Sequence, residues 1–154
     1  MKTVIILQSY HHNNTEKIAN VFSKVLDAPI KRPADIQPDT LSGYDLVCFG
    51  SGIYSDNFNP AMLEFADKLP HGPGKRAFLF STAGMSSKDK AANDHSGMRK
   101  KLESKGYMIL GEYQCPGFNT NSFLRCLGGM NKGHPNSKDM KEAEALAIQL
   151  KTDG

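Results

Sequence analysis

Short apolar runs alternate along this chain with segments whose apolar residues recur every three or four positions, and that alternation constrains the fold more than any other feature. It is the pattern of strands joined by crossover helices, which pack as a parallel sheet with helices on both faces. Thr3 to Gln8 reads as a buried strand, and Ile18, Ala19, Phe22, Val25 and Leu26 share one face of the helix that follows. Ala28 to Lys31 is expected as a second strand, and the nearby Pro29, Pro33 and Pro38 confine it to an edge of the sheet. Leu46 to Phe49 and Ala77 to Phe80 are the third and fourth strands, and Tyr107 to Leu110, extendable to Tyr113, is the fifth. Pro60 behind an Asn59 cap opens a helix with Met62, Phe65, Ala66 and Leu69 inward. Met98 and Leu102 mark a helix ended by Gly106, and a last helix from near Ser137 turns Met140, Ala143, Leu146, Ala147 and Leu150 inward.

A length of 154 residues suits one domain, 1–154, with no internal repeat or linker. The strongest apolar run, Val4 to Leu7, is far short of the roughly 20 residues that cross a bilayer, so no membrane insertion is expected. Nothing near Met1 resembles a signal peptide. The three cysteines, Cys48, Cys115 and Cys126, are odd in number and lack C-x-x-C spacing, which fits a reducing cytoplasm. Cys48 reads as a core residue. Cys115 ends a strand on the ligand side, where an inert thiol is preferred over a redox-active one. The net charge of +3 is scattered along the chain, so no nucleic-acid partner is expected.

A doubly wound sheet binds ligands at the carboxyl ends of its strands, beside the point where strand order reverses. That rule selects the loops Ser9 to Thr15, Gly50 to Asn59, Ser81 to Ser87 and the long stretch from Gln114 to Asn136. The first of these, Ser9-Tyr10-His11-His12-Asn13-Asn14-Thr15, joins a strand to a helix and is rich in small polar donors. Backbone amides at a helix start, with hydroxyls and carboxamides around them, suit a phosphate. The same residues also suit a plain polar turn in which Asn or Thr caps the helix. Known nucleotide motifs fail. Gly50-Ser51-Gly52 follows the third strand rather than the first, with Ser55 where the last glycine of a dinucleotide fingerprint belongs. Gly74-Lys75-Arg76 has no Ser or Thr after its lysine and precedes a strand. A loop without lysine suits a monophosphate better than a triphosphate with magnesium. His11, His12, His71, His95 and His134 show no metal-ligand spacing, so no metal is expected.

Ser9-x-His11-His12-x-Asn14-Thr15-Glu16-Lys17-Ile18-Ala19 resembles the phosphate loop and first helix of the flavodoxin-like superfamily, in particular its short, poorly characterised members. Gly50-Ser51-Gly52-Ile53-Tyr54, Phe80-Ser81-Thr82, Gly117-Phe118-Asn119-Thr120 and Asn131-Lys132-Gly133-His134-Pro135-Asn136 extend the likeness in order along nearly the whole chain. The resemblance implies a three-layer α/β sandwich whose five parallel strands run 2-1-3-4-5. It implies FMN as cofactor, with the phosphate at Ser9, His11, His12, Asn13, Asn14 and Thr15. The isoalloxazine ring would then lie between Ser51, Gly52, Ile53 and Tyr54 on one side and Ser81, Thr82, Ala83, Gly84 and Met85 on the other. Asn13 stands where the superfamily usually has Gly, and Asn adopts a positive φ less readily. No Trp is present to stack on a flavin, which leaves Tyr54 as the aromatic substitute, with Met85 or Phe58 as softer contacts.

The function expected from this likeness is electron transfer as an FMN-binding protein, exchanging electrons with redox protein partners as a monomer or homodimer. No side chain is then needed as acid, base or nucleophile. One rival is an FMN-dependent oxidoreductase acting on a quinone or porphyrin-type substrate, with the loop from Gln114 as a substrate wall. Another is a flavin-free interaction module, supported by Asn13 and the absent Trp.

Overall fold

The computed structural model describes residues 1–10, 13–118 and 129–153. His11, His12, Asn119, Thr120 and Cys126 therefore lie outside the described residues. Strands β1 (Thr3–Gln8), β2 (Ile30–Lys31), β3 (Leu46–Tyr54), β5 (Arg76–Ala83) and β6 (Met108–Pro116) pair in parallel in the order β2-β1-β3-β5-β6. A short β4 (Asn57–Phe58) pairs antiparallel with the end of β3 and stands off the main path. With that hairpin strand set aside, the order is the expected 2-1-3-4-5. Helices α1 (Asn14–Leu26), α2 (Pro60–Asp67), α3 (Lys88–Ser104) and α4 (Ser137–Thr152) supply the outer layers.

Alternation along the strands divides the interior in two. Ile5, Cys48, Phe78 and Phe80 point toward α1 and α4, where Ile18, Phe22, Ala143 and Ala147 meet them. Ile6, Phe49, Ala77 and Leu79 point toward α2 and α3, against Met62, Phe65, Met98 and Leu102. The Phe22 ring stacks on Phe80 with centroids 5.1 Å apart and tilts against Phe78 at 5.3 Å. Gly50 makes that stack possible, because a Cβ there would lie 2.2 Å from the Phe80 ring.

Four strands have bounds that differ from the sequence reading. β2 shrinks to two residues, still at an edge, because the neighbouring prolines cannot donate to a ladder. β3 continues through Gly50 and Gly52 to Tyr54, where a loop was expected, and turns back at Ser55 and Asp56, with φ of 49° and 58°. Two successive left-handed residues make a tight hairpin, for which Asn-Gly is the usual sequence signal and Ser-Asp a silent one. Likewise β5 reaches Ala83 and β6 reaches Pro116, because pairing with neighbouring strands carries Ser81, Thr82 and Gln114 into the sheet despite their polarity. The helix starts agree more closely. Asn59 caps α2 by accepting from the Ala61 amide ahead of Pro60, and Asn136 with Asp139 forms a reciprocal capping box on α4.

Candidate functional site

The strand order reverses between β1 and β3, and a cleft opens there at the carboxyl ends of the strands. Its first wall is the turn from β1 into α1. Asn13 sits at the helix start in the left-handed region, φ 52°, and its side chain makes no capping bond. That removes the reading of Asn13 as a side-chain cap and leaves the turn in the positive-φ conformation for which Gly is usual. The first bond within α1 runs from the Lys17 amide to the Asn13 carbonyl, so the amides of Asn14, Thr15 and Glu16 belong to the donor-rich first turn. Glycine is required elsewhere in this wall: a Cβ on Gly117 would come within 2.8 Å of Asn14 Nδ2 and 3.2 Å of Thr82 Cβ.

Asn14 and Thr15 are buried and already bonded across the cleft. Asn14 Nδ2 donates to the Phe118 carbonyl at 2.8 Å, while Asn14 Oδ1 is buried with no partner among the described residues. Thr15 and Thr82 share a hydrogen bond of 2.8 Å between their hydroxyls, which ties the helix start to the end of β5.

The second wall is the β3–β4 hairpin. Gly52, Ile53 and Tyr54 line the cleft, and the Tyr54 ring folds back over its own strand, so close that a Cβ on Gly52 would meet it at 3.2 Å. Burial pushes the Tyr54 phenol up, a hydrogen bond with Asn59 opposes this, and the nearby Tyr10 adds to the rise. The third wall is Thr82, Ala83 and Gly84, and Ser9, just past β1, completes the lining.

Several expected site residues do not present side chains here. Ser51 and Ser81 are fully buried. Period-two alternation sends their hydroxyls to the α2 and α3 side of the sheet, opposite Thr82. Ser51 Oγ donates to the Gly52 carbonyl and accepts from the Asn59 amide at 2.9 Å. Ser81 Oγ bonds His95 Nε2 at 2.7 Å and accepts from Gln114 Nε2 at 3.1 Å. Met85 is 71% exposed and, like Asn13, does not line the cleft; Phe58 is buried against α3. Conversely, Tyr10, Gly117 and Phe118 do line it. The glycine following a strand was the available signal for Gly117, whereas the approach of Phe118 to Asn14 spans 104 residues and has no local signature.

Every described residue of the lining is uncharged, and only the phenols of Tyr10 and Tyr54 could ionise. Cys115 is 2% exposed, and burial pushes its thiol up to about 12, so it stays protonated and inert at neutral pH. Cys48 is also buried and raised to about 12. No cluster of three metal-ligating side chains occurs among the described residues, and no described helix is long and apolar enough to cross a membrane.

A family model described as a flavodoxin domain matches residues 5–110. An uncharacterized protein of Methanocaldococcus jannaschii is 42% identical over 150 residues, covering 97% of this chain and 98% of the relative. Among solved structures, oxidised flavodoxin 2 from Bacillus cereus superposes with a TM-score of 0.75 at 16% identity, covering 100% of both chains. The flavodoxin of Streptococcus pneumoniae TIGR4 reaches 0.74 at 15% identity with the same coverage. At these identities the structural likeness shows the fold.

Proposed function

The chain belongs to the flavodoxin domain family, and from that premise we propose that it binds FMN in the cleft at the β1/β3 reversal and acts as an electron carrier. The observation that carries this reading is the convergence of three things at one cleft whose described lining is uncharged. These are a helix start with its amide donors, a buried carboxamide oxygen without a partner among the described residues, and a hairpin bearing an aromatic ring.

The residues present fit FMN. The α1 start, with Asn13 in the left-handed region, would hold the phosphate through backbone amides and the helix dipole. Asn14 Oδ1 is an acceptor, suited to a sugar-chain hydroxyl rather than to the phosphate itself. Gly52 to Tyr54 and Thr82 to Gly84 would flank the ring, Tyr54 offering an aromatic face and the strand ends offering backbone donors and acceptors. When bound, FMN supplies the redox chemistry, and the protein tunes it by hydrogen bonding, apolar cover and exclusion of water.

A carrier needs no acid or base at the ring, and the described lining carries no Asp, Glu, His, Lys or Arg. The flavin-free module loses one of its supports, since Asn13 adopts the positive φ in question. Its redox partners would be proteins. The test is the visible absorption spectrum of the purified chain before and after adding FMN and gel filtration. Flavin bands that survive filtration and are released as FMN on denaturation support the reading. Their complete loss at micromolar protein refutes it.

A further inference from the structure

The N-terminal half of α3 docks on the sheet in an unusual way. Of its four buried residues, Met98 and Leu102 are apolar and occupy the half remote from the cleft, while Asp94 and His95, at the cleft end, are fully buried and ionisable. A buried carboxylate persists only where partners compensate its lost hydration. Asp94 has two. Its Oδ1 takes the Lys90 ammonium, and its Oδ2 accepts from Gln114 Nε2 at 2.9 Å.

Each partner leads to a different wall of the cleft. Lys90 Nζ also donates to Asp56 Oδ1 at 2.7 Å, and Asp56 is the turn residue of the β3–β4 hairpin, two positions after Tyr54. Gln114 Nε2 also donates to Ser81 Oγ at 3.1 Å, one residue before Thr82. Neighbouring contacts reinforce both arms. His95 Nε2 bonds Ser81 Oγ, His95 Nδ1 donates to Glu112 Oε2 at 3.1 Å, and Arg99 grips both oxygens of Glu112. On the hairpin side, the Phe58 ring stands edge-on to His95 at 5.1 Å, and Gly97 leaves room for Asn57, whose Oδ1 would be 2.8 Å from a Cβ there.

We propose that Asp94 is a positioning residue for the cleft, holding the hairpin wall through Lys90 and the end of β5 through Gln114 and Ser81, so that the two walls loosen or tighten together. It touches no part of the cleft itself. The consequence for a flavin rests on the function proposed above; the coupling of the two walls does not.

The test is amide hydrogen exchange on the full cofactor-free chain, comparing Asp94→Asn with Asp56→Asn. Asp94→Asn is expected to speed exchange about tenfold or more at both 52–57 and 82–84, the scale of losing one charge-assisted link, while β1 and Leu46 to Phe49 are unchanged. Asp56→Asn, at an exposed tip, is expected to speed exchange at 52–57 alone. Acceleration by Asp94→Asn at only one wall, or evenly through the chain, overturns the proposal. Should that variant fail to fold, Gln114→Leu replaces it, with faster exchange at both walls expected and an effect confined to 82–84 overturning the idea. FMN titration of the same variants is read separately. Weaker retention by Asp94→Asn than by the parent extends the coupling to the cofactor, and equal retention overturns that extension. A parent chain that retains no FMN refutes the proposed function and leaves the exchange result to decide the coupling.

Discussion

Two residues carry backbone constraints that side-chain chemistry does not reveal. Asn13 is left-handed at φ 52° with no capping bond, so what matters there is tolerance of positive φ rather than the carboxamide. Asn13→Gly is therefore expected to leave stability unchanged or raised, while Asn13→Ala is expected to cost about 1 kcal/mol, since a Cβ resists this conformation and Ala lacks the local bonding of Asn. Urea midpoints of the two variants check this; equal losses would show that the side chain itself matters. Gly50 is constrained by space. A Cβ would overlap the Phe80 ring at 2.2 Å, and Phe80 is pinned by Phe22, so Gly50→Ala is expected to destabilise by about 1–3 kcal/mol. Thermal unfolding measures it. Neither constraint could be inferred from residue type alone: the glycine at 50 reads as a turn signal in sequence and proves to be a packing notch in a central strand.

At the scale of elements, the hairpin and α3 form the part of the molecule least visible beforehand. Helix periodicity finds α3 through Met98 and Leu102 but passes over its cleft end, where the buried residues are polar. Gly97→Ala, in a helix, improves intrinsic propensity by up to about 1 kcal/mol, yet here the new methyl meets Asn57. It is expected to destabilise the hairpin, seen as faster amide exchange at 52–57 with α3 still formed. The link between α3 and β6 gives a pH signature. Burial alone would raise the Glu112 carboxyl, but hydrogen bonds from His95 and Arg99, with their charge, outweigh it and hold the group at about 2, below its ordinary 4.5. A depressed carboxyl stabilises the fold above its unfolded pKa and ceases to do so once protonated in the folded state. Glu112 therefore contributes fully above about 4.5, and that contribution falls away between there and about 2. Glu112→Gln is expected to be less stable at neutral pH and to show a shallower loss across that window. Parallel acid titrations of the two proteins, followed by circular dichroism, would sink this attribution if they kept the same slope.

For the whole molecule, the cleft and the core are one construction. β1, β3 from Leu46 to Ser51 and β5 from Ala77 to Ala83 are buried because helices cover both faces, and their carboxyl ends emerge together at the reversal of strand order. A ligand held there by β1, β3, β5 and α1 at once binds only the folded chain. FMN at 100 times its dissociation constant is then expected to add about 2.7 kcal/mol to stability. The melting temperature should rise with FMN concentration, and a melting temperature that ignores FMN would count against the site.

Local pattern determined much of this. Alternating runs with period-matched helices were enough for the sheet, its order through the resemblance, the inward faces of α1, α2 and α4, the cap at Asn59 and the start of α4 near Ser137, because each depends on residues close in sequence. Tertiary structure decided the strand ends and the roles of polar side chains. Ser81 and Thr82 are adjacent and chemically alike, yet one joins a buried network under α3 and the other meets Thr15 in the cleft. Which neighbour receives a hydroxyl depends on how far the ladder runs and on what packs over each face. Those contacts join residues from 14 to 104 positions apart, a separation at which the chain's local preferences carry no information.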